Sequence, residues 1–218
     1  SEFSPRNNGL FGIVSPGDWA IDMEKQPAAG WTVFPTELGW MAFTGSAVGV
    51  QRLTFGHPDQ AALLAAIAAG PGAQVGHMSG KQVAPLSRAQ PEPLFDPSCQ
   101  YASGAPVEFA DLPVDLQHCT PFQLSVLQAL RQVNFGVVQT YSQLATAAGF
   151  PGAARAVGTV MARNRVPLIL PCHRILREGG QLGGYSAPQG LGVKRVRLRR
   201  EGAACSPTRR WTLECVTT

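Results

Sequence analysis

Apolar positions in the first half of the chain alternate before they cluster. Leu38, Trp40, Ala42 and Phe43 precede Gly45-Ser46, and Val48, Val50, Leu53 and Phe55 follow. Turn residues between two apolar runs predict a hairpin within Trp31–Phe55. Pro58-Asp59-Gln60 then opens an Ala-rich helix to about Ala69. Residues 70–98 are rich in Gly, Pro, Gln and Ser without an apolar period, which predicts a long loop or insertion. Residues 1–31 show little periodicity and read as a leader, and no internal repeat is visible.

The period changes to helical after Leu112. Thr120-Pro121 is a helix start, with an oxygen cap and proline at the first position. Phe122, Val126, Leu127, Leu130 and Val133 then share one face, and Asn134-Phe135-Gly136 ends the run. A short helix from about Tyr141 to Ala148 stops at Gly149, and a second runs from about Ala153 to Arg163. Two short helices joined by a tight turn form a helix-turn-helix candidate. Small residues (Ala153, Ala154, Ala156, Gly158) on the second helix allow close approach of a neighbour, and Arg155 and Arg163 bracket it. Val166–Leu170 is an apolar run read as buried strand or extended chain. Residues from about Leu191 to Arg200 form a basic helix with Val193, Val196 and Leu198 as its apolar positions.

Charge sharpens this division. Residues 1–118 hold 5 bases and 11 acids, whereas residues 119–218 hold 13 bases and 3 acids, so the halves carry −6 and +10. That asymmetry fits either a solvated basic face or a segment facing a polyanion. A hydrophobic fraction of 44% excludes a disordered chain. The apolar stretch Ala61–Ala69 is too short for the roughly 20 residues that span a bilayer. The first residues lack the basic-then-apolar pattern of a signal sequence. Five cysteines without CxxC spacing make no disulfide framework and predict a reducing, intracellular setting.

One thiol stands out. Pro171-Cys172-His173-Arg174 places a cysteine beside an imidazole and a guanidinium, surroundings that favour a nucleophilic thiolate. Free cysteines are more often buried small apolar residues, and neighbours on a strand point to opposite faces, so both readings stand at this point. Position 175 is Ile and no HxE precedes, which excludes a zinc deaminase. Gly179–Gly184 lacks the Lys-Ser/Thr of a phosphate loop. Cys99, His118 and Cys119 fit no common zinc spacing. Glu201, one of three acids in the basic half, is either a surface ion-pair member or the group that orients His173.

Arg155-Ala-Val-Gly158, Asn164, Pro171-Cys-His-Arg174, Tyr185-Ser186, Lys194 and Glu201-Gly202 together closely resemble the O6-alkylguanine-DNA alkyltransferases. Tyr141-Ser-Gln-Leu144 fits as well. The resemblance runs over residues 116–202 and more loosely over 35–70, through Thr36-Glu-Leu-Gly39 and Leu53-Thr-Phe-Gly56. It departs between Ser186 and Lys194, where this chain is two residues longer, and at Arg165, where many relatives have proline. The resemblance implies an α+β protein. An α/β, ribonuclease-H-like domain over 32–112, with the 70–98 insertion, would precede a winged helix-turn-helix domain over 113–202 and a tail over 203–218. It implies transfer of an alkyl group from a flipped guanine in double-stranded DNA to Cys172, once per protein molecule.

The implied site is specific. Glu201 holds His173, which takes the Cys172 proton through a water, and Asn164 fixes that network. Tyr141 donates a proton toward the departing guanine, and Lys194 assists near the leaving group. Arg155 fills the gap in the base stack, with Ala154 against the minor groove. Pro167, Tyr185 and Ser186 line the guanine pocket, and Gln123 and Ser142 approach phosphates. No cofactor, metal or membrane is implied, and the protein is expected to be a monomer, cytoplasmic in a prokaryote or nuclear in a eukaryote. A non-catalytic lesion binder and a cysteine hydrolase using Cys172, His173 and Glu201 are the competing readings.

Overall fold

The computed structural model describes residues 30–69, 92–185 and 190–203. Residues 1–29 of the leader expected over 1–31, most of the expected insertion (70–91), Ser186 and the tail beyond Ala203 lie outside the described residues, and Trp31 already belongs to a strand.

The expected hairpin is part of a three-stranded antiparallel sheet, ordered β1 (Trp31–Thr36), β2 (Gly39–Gly45) and β3 (Val50–His57). The first turn escapes the alternation pattern because a hydroxyl builds it. Thr36 Oγ1 donates to the Gly39 carbonyl at 2.7 Å and accepts the Leu38 amide at 3.2 Å. Gly39 has φ +92°, and a Cβ there would sit 2.6 Å from the His57 carbonyl. Pro35 is tolerated because β1 is an edge strand. Helix α1 (Gln60–Ala69) buries Leu63 against Val33 and Ala42 of the sheet.

Part of the stretch expected as loop is helical: α2 spans Glu92–Ala102. Its prolines hid it. Pro93 falls in the first turn, where the amide has no intrahelical partner anyway, and Pro97 removes one hydrogen bond. Burial of Leu94, Tyr101 and Ala102 outweighs that loss.

Residues 113–115 run beside β3, with the Val50 amide on the Pro113 carbonyl (2.9 Å) and the Asp115 amide on the Val50 carbonyl (3.0 Å). The buried Asp115 carboxylate accepts from Ser46 Oγ (2.7 Å) and Gln51 Nε2 (2.9 Å), which pins the β2–β3 turn to the chain leading into the second half.

Helix α3 (Pro121–Arg131) starts at the Thr120 cap, with Gln123 completing a capping box. Thr140 and Gln143 repeat the device at α4 (Tyr141–Ala147), and α5 spans Ala154–Ala162. Residues 148–153 connect α4 to α5 across Gly149 and Gly152, both at φ +86°. A short parallel pair, β4 (Gln139–Thr140) with β5 (Ile175–Leu176), ties the start of α4 to the chain beyond the cysteine. The last helix, α6, spans Leu191–Arg200.

The run 166–170 is buried but is not a strand. It folds into turns, with the Leu170 amide on the Val166 carbonyl at 3.0 Å. Asn164 clamps both ends. Its Nδ2 donates to the Leu170 carbonyl at 2.8 Å and its Oδ1 accepts the Val166 amide at 3.1 Å. Leu168 sits at φ +86°, the one non-glycine residue with positive φ among the described residues. Such a conformation persists only where its surroundings over-determine it.

Candidate active site

The clamped turn delivers Cys172 into a single 3-10 turn, Cys172–Arg174. Successive residues of such a turn are about 120° apart rather than on opposite faces. The whole turn is enclosed, so Cys172, His173 and Arg174 are all buried although they point in different directions.

Glu201, at the end of α6, is the centre of a buried polar network. Its Oε1 lies 2.6 Å from His173 Nε2 and accepts the Tyr101 hydroxyl at 2.6 Å. Its Oε2 accepts Arg174 Nε at 2.9 Å, and Arg174 Nη2 reaches Oε1 at 3.2 Å. Burial alone would raise the Glu201 carboxyl, but the bonds and charges of His173 and Arg174 hold it well below the usual carboxylate range. An ionised carboxylate only accepts, so the proton of the imidazole sits on Nε2. Nδ1 is left as the basic nitrogen, buried and without a partner among the described residues. Burial first, and Arg197 next, push His173 down to about 3, so the ring is neutral at physiological pH.

Helix α6 contributes more than sequence reading indicates. Positions 194, 197 and 201 lie on one face, and that charged face points inward: Lys194 and Arg197 are each 0% exposed, whereas Val196 is 42% exposed. Val196 was an expected apolar position, and burial of the charged face is what turns it outward. Lys194 Nζ donates to the carbonyls of Ile175 (2.7 Å) and Leu182. Burial lowers it to about 8, with Cys172 opposing and Arg177 assisting. Arg197 lies over the rings of Phe55 (5.1 Å) and Tyr101 (5.3 Å). It donates to the hydroxyls of Tyr101 (3.1 Å) and Tyr185 (2.8 Å), and no carboxylate among the described residues pairs with it. The network thus holds three buried cations and one buried carboxylate, with the half-exposed Glu108 3.9 Å from Arg174 at its edge, an excess of buried positive charge that favours an anion. Burial pushes the Cys172 thiol up, while Asn164, Arg197 and Lys194 pull it down.

A cavity of about 630 Å³ opens over the thiol. Tyr141 and Ser142 of α4, Ala154 and Arg155 of α5, and Tyr185 line it together with Cys172. Tyr141 is wedged: added methyl groups at Gly158 and Gly183 would lie 3.9 Å from its Cε1 and 3.4 Å from its hydroxyl. Arg155 is exposed at the start of α5. Asn164 and Pro167 line a second cavity that also reaches Cys172. Gln123 stands apart, its amide oxygen accepting the Thr120 amide and its side chain on a smaller pocket away from the thiol. Cys119 Sγ lies 3.7 Å from His118 Nε2, and no group of three metal-type ligands occurs among the described residues.

Tyr101 and Arg197 carry the network yet lie outside the residues that sequence reading singled out. The signal for Arg197 was its spacing from Lys194 and Glu201. Tyr101 sits at the end of a helix masked by prolines and gave no comparable signal.

Fold and site define a thiol protein in which a buried, imidazole-backed cysteine opens onto a pair of short helices. The sequence profile described as "6-O-methylguanine DNA methyltransferase, DNA binding domain" matches residues 121–203. The methylated-DNA–protein-cysteine methyltransferase of Salmonella typhimurium is 47% identical over 83 residues, 38% of this chain and 47% of that protein. The protein of the same name from Metallosphaera sedula is 38% identical over 110 residues, 50% of this chain and 67% of that one. The O6-methylguanine-DNA methyltransferase structure from Pyrococcus kodakaraensis superposes with a TM-score of 0.56 at 30% identity, covering 75% of this chain and 92% of that one. Mycobacterium tuberculosis OGT in complex with DNA gives 0.57 at 26%, covering 78% and 91%. The chain belongs to the O6-methylguanine-DNA methyltransferase family. Its sequence match spans about half the length of curated relatives such as the Salmonella protein.

Proposed function

We propose that the protein repairs double-stranded DNA by moving the alkyl group of O6-alkylguanine irreversibly onto Cys172, as a single-turnover methylated-DNA–protein-cysteine methyltransferase. The observation that carries this reading is the state of His173. Its Nε2 proton is committed to Glu201 and its Nδ1 lone pair is free, one residue from a thiol at the floor of a base-sized cavity.

In this reading His173 Nδ1 takes the Cys172 proton through a bridging water, and Glu201 stabilises the imidazolium. The sulfur attacks the alkyl carbon in line. The S–C bond forms, the C–O6 bond breaks, and the electron pair leaves on the guanine. The Tyr141 hydroxyl donates a proton to that base, and the proton held by His173 restores the tyrosine through solvent. Arg197 and Lys194 stabilise the anionic thiolate and the departing base electrostatically. The thioether has no facile leaving group, so the protein is consumed.

Helices α4 and α5 act as a helix-turn-helix within a winged domain. Exposed Arg155 enters the stack vacated by the flipped base, as wedge residues do in minor-groove binders, and Ala154 packs against the groove. Tyr185 and Ser186 border the base, Pro167 lines the second cavity that also reaches the thiol, and Ser142 approaches phosphate. The N-terminal sheet with α1 and α2 forms the ribonuclease-H-like domain of this reading. The protein acts as a monomer on DNA without cofactor, and no helix among the described residues is long and apolar enough to cross a membrane.

Incubation with duplex DNA containing O6-methylguanine tests the proposal by intact mass. One methyl on the wild type and none on Cys172→Ala is the expected result. Unmodified wild type that still binds the lesion contradicts alkyl transfer and supports a lesion binder. Arg155→Ala is expected to slow transfer from the duplex by at least about tenfold, in line with the few kcal/mol that base extrusion costs. Its reaction with free O6-benzylguanine should stay near wild type. Equal losses on both substrates would remove the stacking role.

A further inference from the structure

Two cavities meet at the thiol, and only the first is lined by α4. The second, about 500 Å³, lies between the N-terminal sheet and the cysteine turn, and Cys172, Tyr185 and Ala162 border both. We propose that this second chamber is the subsite for the O6 substituent, and that it favours long substituents ending in a carboxylate. The inference rests on the alkyl-transfer reading and extends it to a substrate class.

Pro167, Phe55 of β3 and Ile67 of α1 give the chamber apolar wall. Arg52, Arg163 and Arg165 line the same chamber, and among the described residues no aspartate or glutamate lines it and none of the three arginines is ion-paired. Arg52 is half-buried and lies over the Trp31 ring at 6.0 Å. Burial, and then the charge of Arg165, push its guanidinium down, so two like charges already oppose each other there. A chamber that combines apolar wall with cations free of any carboxylate partner matches an organic chain with an anionic end. The Leu53 amide bonds the Arg165 carbonyl at 2.8 Å, which fixes β3 against the cysteine turn and makes the chamber part of the fold.

The reaction geometry assigns the two spaces. Sulfur, the reacting carbon and O6 must lie on one line, so the remainder of the substituent leaves that line sideways. With guanine in the first cavity, the second receives the substituent. A methyl group leaves the chamber empty, whereas a carboxylated benzyl group extends into it. The bonds made and broken are those of methyl transfer. The N-terminal domain thereby acquires a part in specificity.

The test uses the full chain and three duplexes, carrying O6-methylguanine, O6-(4-carboxybenzyl)guanine or its neutral isostere O6-(4-carbamoylbenzyl)guanine, with transfer rates read by intact mass. The carboxylate is expected to react about fivefold faster than the amide, the advantage of a partly exposed charge pair. In an Arg52→Gln/Arg165→Gln double variant that ratio should fall to about one, while the methyl-to-amide ratio keeps its wild-type value. Comparing ratios cancels any shared loss of DNA affinity. A wild-type ratio of one or less, a ratio that survives in the double variant, or exclusion of both benzyl groups would overturn the chamber's role alone. Failure to accept methyl as well would overturn alkyl transfer itself.

Discussion

Glutamine at position 201 is expected to slow alkyl transfer by about 100-fold or more and to destabilise the fold by about 3–5 kcal/mol. Both losses follow from the donors around one carboxylate: Tyr101, His173 and Arg174 all point at it. An amide accepts through one oxygen only, and its NH2 group would face donors. Arg174 would lose its buried anion and keep only the half-exposed Glu108 at 3.9 Å, and His173 would lose the charged acceptor that fixes its tautomer. Thermal denaturation and single-turnover kinetics, both at a temperature where the variant is folded, separate the two effects. Wild-type kinetics in Glu201→Gln would remove Glu201 from the mechanism.

The same network sets an acid limit. His173 is lowered to about 3 by burial and by Arg197, so between that pH and about 6.5 the unfolded chain binds more protons than the folded one. Stability therefore rises with pH across this window and is lost as pH falls through it. His57 and His118, both lowered mainly by burial, act in the same sense. Glu201 adds a further loss below about pH 4.5, its lowered carboxyl being ionised only in the folded state there. Melting temperatures of the wild type should decline from pH 7 toward pH 4, and Glu201→Gln should lack the steepening at the acid end.

Arg197→Met is the second large expectation. Methionine fills a similar volume between Phe55 and Tyr101 but removes the buried charge. The pH midpoint for alkylation of Cys172 by iodoacetamide should rise by about one unit, and transfer at neutral pH should slow about tenfold. Stability should suffer less than in Glu201→Gln, because replacing a buried cation by an apolar side chain also removes its desolvation cost. A lowered melting temperature with an unchanged midpoint would mean that Arg197 serves packing alone.

The parts of the molecule legible in the sequence are those with local causes. Thr120 and Thr140 cap their helices through the residue three positions on, and Gly149 ends α4, so α3 and α4 fall close to their expected bounds. Cys172, His173, Glu201 and Asn164 came together as a set through the resemblance to the alkyltransferases, which the Pro-Cys-His-Arg run and its neighbours carry. What eluded sequence reading depends on tertiary neighbours. Val166–Leu170 has a strand-like composition, but Asn164 bonds both of its ends and bends it into turns. The charged face of α6 looks like a solvated one until Phe55, Tyr101 and Tyr185 close around Arg197. Tyr101 reaches Glu201 only because α2 forms despite its prolines.

The central claim is that Cys172 accepts one alkyl group and is then spent. The most direct measurement supplies excess duplex DNA with an isotopically labelled O6-methyl group and follows label on protein and in solution. The account predicts one label per protein molecule, confined to the peptide containing Cys172, and no further release of label however much DNA remains. Continued turnover with label appearing in solution, or label on any other residue, would contradict it.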